Sequence, residues 1–183
     1  MEARYTTPQQ LFEGSKQFVV PLFQRTYSWT EKQWATLWDD LLSRLEAAPE
    51  RLHFIGSLVM LPTNTIPAGV NKFAVIDGQQ RLTTLAVLLA LRDTAPADAP
   101  SRLRQLVNQE FLTNTFATEE IERYKILPAR TNREAFQLLC EARAVPPLPP
   151  GAPALHKAYA FFCNKITKWK RDHTPDAKPF LPF

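Results

Sequence analysis

Val75-Ile76-Asp77-Gly78-Gln79-Gln80-Arg81-Leu82-Thr83-Thr84-Leu85 changes its periodicity halfway along. Lys72 to Asp77 is a short extended run of apolar and β-branched residues, which predicts a strand. Gly78 allows a tight turn. From Gln79 to about Asp93, Leu82, Leu85, Ala86, Leu88, Leu89 and Leu91 fall on nearly every side of a helix, which predicts a buried one. A helix start leaves several backbone N–H groups unpaired and presents the positive end of the macrodipole, so it favours anions. Arg81 can add a forked contact to phosphate oxygens. Gln79 and Gln80 can each donate and accept, and Asp77 at the strand end can hold Mg²⁺ or take a proton. A structural reading stands beside this one: Asp77 caps the helix, Gly78 makes the turn, and Gln79 to Arg81 are solvated first-turn residues.

Upstream, Thr7-Pro8-Gln9-Gln10-Leu11-Phe12 predicts a short helix capped by Thr7 and ended by Gly14. Gln17 to Val20 is extended, and Leu22 to Trp29 has no period and reads as a loop. Thr30 and Gln33 have capping-box spacing. After them Trp34, Leu37, Trp38, Leu41, Leu42 and Leu45 mark one apolar helical face. His53 to Leu61 predicts a strand, antiparallel to Lys72–Asp77, with Pro62 to Asn71 as the loop between them. Downstream, Ser101–Leu112, Asn132–Arg143 and Ala154–Asp172 read as helices and Tyr124–Leu127 as extended. Val145–Pro153 holds five of the chain's 16 prolines and reads as a linker.

Two further groups can carry chemistry. Phe23-Gln24-Arg25-Thr26-Tyr27-Ser28-Trp29 sets an arginine and a glutamine among aromatics. It either pads the core or forms a second wall of the same pocket, with Arg25 on phosphate and Tyr27 or Trp29 beside a base. His53 is a candidate contact or a structural histidine. Lys165, Lys168, Lys170 and Arg171 make a basic end on the last helix, a solvated face or a DNA-backbone contact. His156 and His173 carry no assignment.

Composition narrows the class. The 183 residues are 45% hydrophobic and 22% charged with net charge +4, as expected for one globular domain whose balance permits nucleic-acid or phosphate contact without requiring it. The N-terminus lacks an apolar signal core, and no run approaches ~18 apolar residues. Cys140 and Cys163 have no Cys or His partner at metal-ligand spacing and read as reduced thiols, so a cytoplasmic protein without membrane association is expected. There are no internal repeats, no Walker loop and no nucleophile elbow. Lys178-Pro179-Phe180-Leu181-Pro182-Phe183 reads as an interruption of a longer protein.

Three ordered motifs bring a resemblance. Val20 to Trp29 with Gln33 and Leu37, His53 to Leu58, and Val75 to Leu85 resemble the N-terminal domain of GmrSD-type, modification-dependent restriction enzymes, with a weaker match at Tyr124–Pro128 and Phe136. The resemblance implies an α/β (α+β) fold: a ParB/sulfiredoxin-like small mixed sheet with packed helices over residues 1–95. A mostly helical extension over 96–144, the linker 145–153 and a C-terminal helix in 154–183 would follow. It also implies a nucleoside triphosphate with Mg²⁺ as cofactors. Modified DNA would be a partner, with an HNH-type nuclease module in cis or trans, because this chain offers no His-Asn-His constellation of its own. A homodimer would suit the long apolar helices.

On this basis Gln24, Arg25, Gly78, Gln79, Gln80, Arg81 and Thr83 are expected to bind phosphate. Asp77, Gln80 and Arg81 would be catalytic, with Asp77 on the metal or helping to activate water and Gln80 positioning that water. Tyr27, Trp29 and His53 would contact a base or DNA. The alternative is a non-hydrolysing module that senses DNA or binds a partner.

Overall fold

The computed structural model describes residues 4–46, 54–64, 69–91, 105–141 and 151–173. Helix α1 (Pro8–Phe12) begins at Thr7, whose hydroxyl accepts from the Gln10 amide at 3.2 Å while Gln10 Oε1 accepts from the Thr7 amide at 3.0 Å. This reciprocal cap and Pro8 in the first turn suit a helix too short to hold itself. Strand β1 (Lys16–Val19) follows the turn at Gly14. Helix α2 (Glu31–Glu46) starts where expected, with Gln33 Oε1 accepting from the Thr30 amide at 3.0 Å. Strands β2 (Val59–Asn64) and β3 (Asn71–Asp77) lead into helix α3 (Gln79–Ala90). A π-wound turn (Asn108–Leu112), strand β4 (Ile126–Leu127) and helices α4 (Arg133–Glu141) and α5 (Ala154–His173) complete the order.

The four strands form one mixed sheet in the order β2-β3-β1-β4, giving an α+β fold with helices packed on the sheet. Central β1 runs parallel to both β3 and β4, whereas β2 is antiparallel to β3, as the sequence predicted. Phe18 lies beside Phe73 in register and packs its ring 5.7 Å from Phe12, edge to face. The neighbouring Gln17, on the opposite face, is also buried; its amide donates to the carbonyls of Ile121 at 2.6 Å and Tyr124 at 3.0 Å. A buried amide without such partners would cost its full desolvation. The core runs from this sheet through α3 to α4 and α5, with Leu82, Ala86, Phe136, Leu155 and Phe162 enclosed.

Several expectations are corrected. The first long strand begins at Val59, not His53, and continues through Pro62 to Asn64, into the stretch read as loop. Proline is tolerated there because β2 is an edge strand, and the register shifts between Pro62 and Asn64. Phe54 to Leu58 is irregular, with Gly56 at φ 108°. The end of the helix read at Ser101–Leu112 is π-wound, and residues 101–104 lie outside the described residues. The extended reading of Tyr124–Leu127 holds, with Ile126–Leu127 forming the sheet's fourth strand. The helix placed after Gly78 is as enclosed as predicted, with no residue of α3 fully exposed. His53, most of the proline-rich linker and residues 174–183 lie outside the described residues. Among the described residues no helix is long and apolar enough to cross a membrane.

Lys125, adjoining β4, is only 3% exposed and donates its ammonium to the carbonyls of Phe12 at 2.5 Å and Gly14 at 2.7 Å. It thereby ties the end of α1 to the sheet edge, and burial pulls its pKa below the usual lysine range. Lys125→Met keeps the apolar stem but leaves both carbonyls unpaired. Urea unfolding should show a loss of about 1–3 kcal/mol, and an unchanged midpoint would refute this role.

Candidate functional site

The junction between β3 and α3 is built around close backbone approach. Gly78 is the N-cap of α3 at φ 85°, and no side chain caps the helix. A Cβ there would lie 2.9 Å from the Ser57 carbonyl and collide with Leu58, so the position requires glycine on both conformational and steric grounds. The capping role considered for Asp77 is therefore not the one observed. Asp77 ends β3 and is exposed.

A cleft of about 240 Å³ opens at this helix start. Arg25 and Trp29 come from the loop after β1, Ser57 from the segment before β2, and Asp77, Gly78 and Arg81 from the junction; Gln24, Gln79 and Gln80 complete the wall. Arg81 donates to the Ser57 carbonyl at 3.0 Å, and its guanidinium lies against the bare Cα of Gly56. A carbonyl neutralises no charge, and among the described residues no carboxylate pairs with Arg81 or Arg25. The cleft thus combines an uncapped helix N-terminus with two arginines, an arrangement that attracts anions.

The glutamines have a role that sequence reasoning missed. Gln79 and Gln80 are 7% and 6% exposed. Gln80 accepts from the Ser28 amide at 2.8 Å and donates to the Thr26 carbonyl at 3.0 Å, pairing its carboxamide with the loop much as a strand would. Gln79 donates to Gln24 Oε1 at 3.1 Å and to the Arg25 carbonyl at 3.2 Å, and Gln24 donates to the Ile76 carbonyl at 3.0 Å. These side chains hold the loop that carries Arg25 and Trp29 against the first turn of α3. Positioning water was the expected task of Gln80, but its main engagement is with backbone. A sequence signal existed: the eight-residue loop Leu22–Trp29 without period needs outside partners for its backbone groups, and two adjacent glutamines at a helix start can supply them.

Tyr27 is displaced from its expected place. It is 7% exposed and lies behind the cleft wall rather than in it. Thr84 donates to the Gln80 carbonyl at 2.8 Å, so its single hydrogen is committed and Tyr27 must donate to Thr84 across 2.7 Å. Trp34 Nε1 in turn donates to the Tyr27 oxygen at 2.8 Å. Burial pushes the Tyr27 phenol up to about 12, partly offset by Thr84 and Trp34. Thr83 is likewise buried and does not line the cleft. Of the expected base contacts Tyr27 and Trp29, both among the described residues, Trp29 is the one placed at the opening.

The family model described as the N-terminal domain of the GmrSD restriction endonuclease matches residues 8–173. The chain belongs to this family. No curated protein matches it. As a GmrSD N-terminal domain it is part of a restriction, phage-defence system that acts on DNA. The matched span takes in both walls of the GmrSD cleft, together with β4 and the helices behind it.

A phenol whose folded pKa lies above its unfolded value contributes stability that is complete below pH 10 and is lost as pH rises toward 12. For Tyr27 the loss should reach about 2–3 kcal/mol. Unfolding free energies measured from pH 8 to 12 should fall more steeply for the wild type than for Tyr27→Phe. Parallel curves would show that the phenol is not held as described.

Proposed function

We propose that this cleft binds the phosphate chain of a nucleoside triphosphate carried with Mg²⁺, and that the domain links nucleotide binding and hydrolysis to the handling of modified DNA. The observation that carries the reading is the uncapped start of α3 opening between Arg25 and Arg81. The amides following Gly78 would cradle one phosphate, and the two guanidinium groups would offset the remaining charge. About 240 Å³ is below the ~300–1,000 Å³ of a site enclosing a whole small ligand, which suits a phosphate chain with its base outside, against Trp29.

The donor set fits Mg²⁺ brought by the nucleotide. Among the described residues no cluster of three potential ligands exists, and Mg²⁺ commonly takes one or two carboxylates with phosphate and water completing its shell. Asp77 would be that carboxylate, and the bound ion would supply further neutralisation of phosphate charge. For hydrolysis the residues of this chain contribute orientation and electrostatics. Arg25 and Arg81 hold the transferred group in place, Asp77 can accept the proton of an attacking water, and Gln79 and Gln80 keep the Arg25 loop in register. Cutting of DNA would fall to an HNH-type module in cis or trans.

Calorimetric titration of nucleoside triphosphates with Mg²⁺ tests the reading. Arg25→Ala or Arg81→Ala should each weaken binding about tenfold or more, the scale of a lost charge-assisted contact, and Asp77→Ala should weaken it only when Mg²⁺ is present. If the intact domain binds no triphosphate, the nucleotide reading fails. Modified duplex DNA competing for Arg25 and Arg81 would then support the sensing alternative.

A further inference from the structure

Helix α5 carries Lys157, Lys165, Lys168, Lys170 and Arg171 against a single acid, Asp172. Its apolar residues Leu155, Ala158, Tyr159 and Phe162 are buried in the core. At 100° per residue, Lys157, Lys168 and Arg171 fall within about 60° of one another, on the side opposite that buried face. All three are exposed, as is Asn164 between them. Arg171 makes a 3.5 Å contact to Asp172 at the surface, which is weak and leaves most of its fork available. Among the described residues no carboxylate pairs with Lys157 or Lys168.

Two simpler accounts of the stripe fall short. Cations in a last helical turn complement the macrodipole, which explains Arg171. Lys157 is the fourth residue of α5, where the dipole disfavours a cation, so its place in the stripe needs another cause. An amphipathic membrane helix would need its apolar face free for lipid. Here that face is buried, and Phe161 beside it packs 5.7 Å from Trp34 of α2.

We propose that the exposed Lys157–Lys168–Arg171 stripe of α5 is a docking surface for the phosphate backbone of duplex DNA, separate from the cleft. From Lys157 to Arg171 the stripe spans about 21 Å at 1.5 Å per residue, or about six base-pair steps at 3.4 Å each. Lysines and arginines at this spacing meet successive phosphates without reading sequence. The partner follows from the family's action on DNA and from the stripe's net positive charge. The inference does not depend on what the cleft holds. The stripe would fix the domain on the duplex, leaving the cleft free for its own ligand.

The test is titration of a fluorescent unmodified duplex across a salt series. It compares the wild type, Lys157→Gln/Lys168→Gln/Arg171→Gln, the cleft variants Arg25→Ala and Arg81→Ala, and a control with Lys32→Gln and Arg130→Gln, two exposed cations elsewhere. The triple variant should lose tenfold or more in affinity at low salt. Its log–log salt slope should be shallower by about 2–3, at ~0.9 per phosphate contact. The control should lose less, and the triple variant should keep the wild-type thermal midpoint and nucleotide titration. No duplex binding by the wild type, equal losses in triple variant and control, or loss confined to Arg25→Ala and Arg81→Ala would each overturn the proposal. Because nucleotide binding is read separately, failure of the cleft reading remains distinguishable.

Discussion

The pairing of Gln80 with the backbone of Thr26 and Ser28 fixes the loop after β1 against the first turn of α3. The loop after β1 makes no ladder of its own, and its polar backbone groups cannot be buried without partners. The Gln80 carboxamide supplies both a donor and an acceptor at the right spacing, and Gln79 and Gln24 extend the seam to the Arg25 and Ile76 carbonyls. Arg25 and Trp29 have a defined position relative to Arg81 because of this seam.

Behind the seam, hydrogen bonds run in one direction from Trp34 to Tyr27, Thr84 and the Gln80 carbonyl. The chain of bonds therefore connects α2 to the first turn of α3 through buried residues. Satisfied networks of this kind are rigid because a missing member strands a buried polar group. On the other side of the cleft, the requirement is steric. Gly56 lets the Arg81 guanidinium lie flat against backbone, and Gly78 lets the Ser57 carbonyl approach the helix start. The cleft is thus held by amide pairing on one wall and by glycine contacts on the other.

Much of the architecture was legible from local pattern. The apolar stripe of α2, the enclosed α3, the Thr7 cap and the antiparallel partner of β3 all follow from period and end signals that neighbouring residues carry. Arg25, Trp29, Asp77, Gly78 and Arg81 were identified from residue type and position, and all five line one opening. Less was legible about direction. Tyr27 and Trp29 are both aromatics of one aperiodic loop, and nothing local indicates that one turns inward to Thr84 while the other faces the cleft.

The sequence by itself determined the helices α1 to α5, the strand β3 with a turn at Gly78 after it, and the apolar face of α2, because each is encoded within a few residues. Tertiary structure alone decided that Pro62 belongs to an edge strand, that Ile126 pairs with Phe18, and that Gln79 and Gln80 serve the loop before any ligand. These outcomes depend on partners some fifty to a hundred residues away in the case of the glutamines and β4. A carboxamide has the same donor and acceptor whether it faces water, a phosphate or a backbone, so only the approach of the folded chain selects among them.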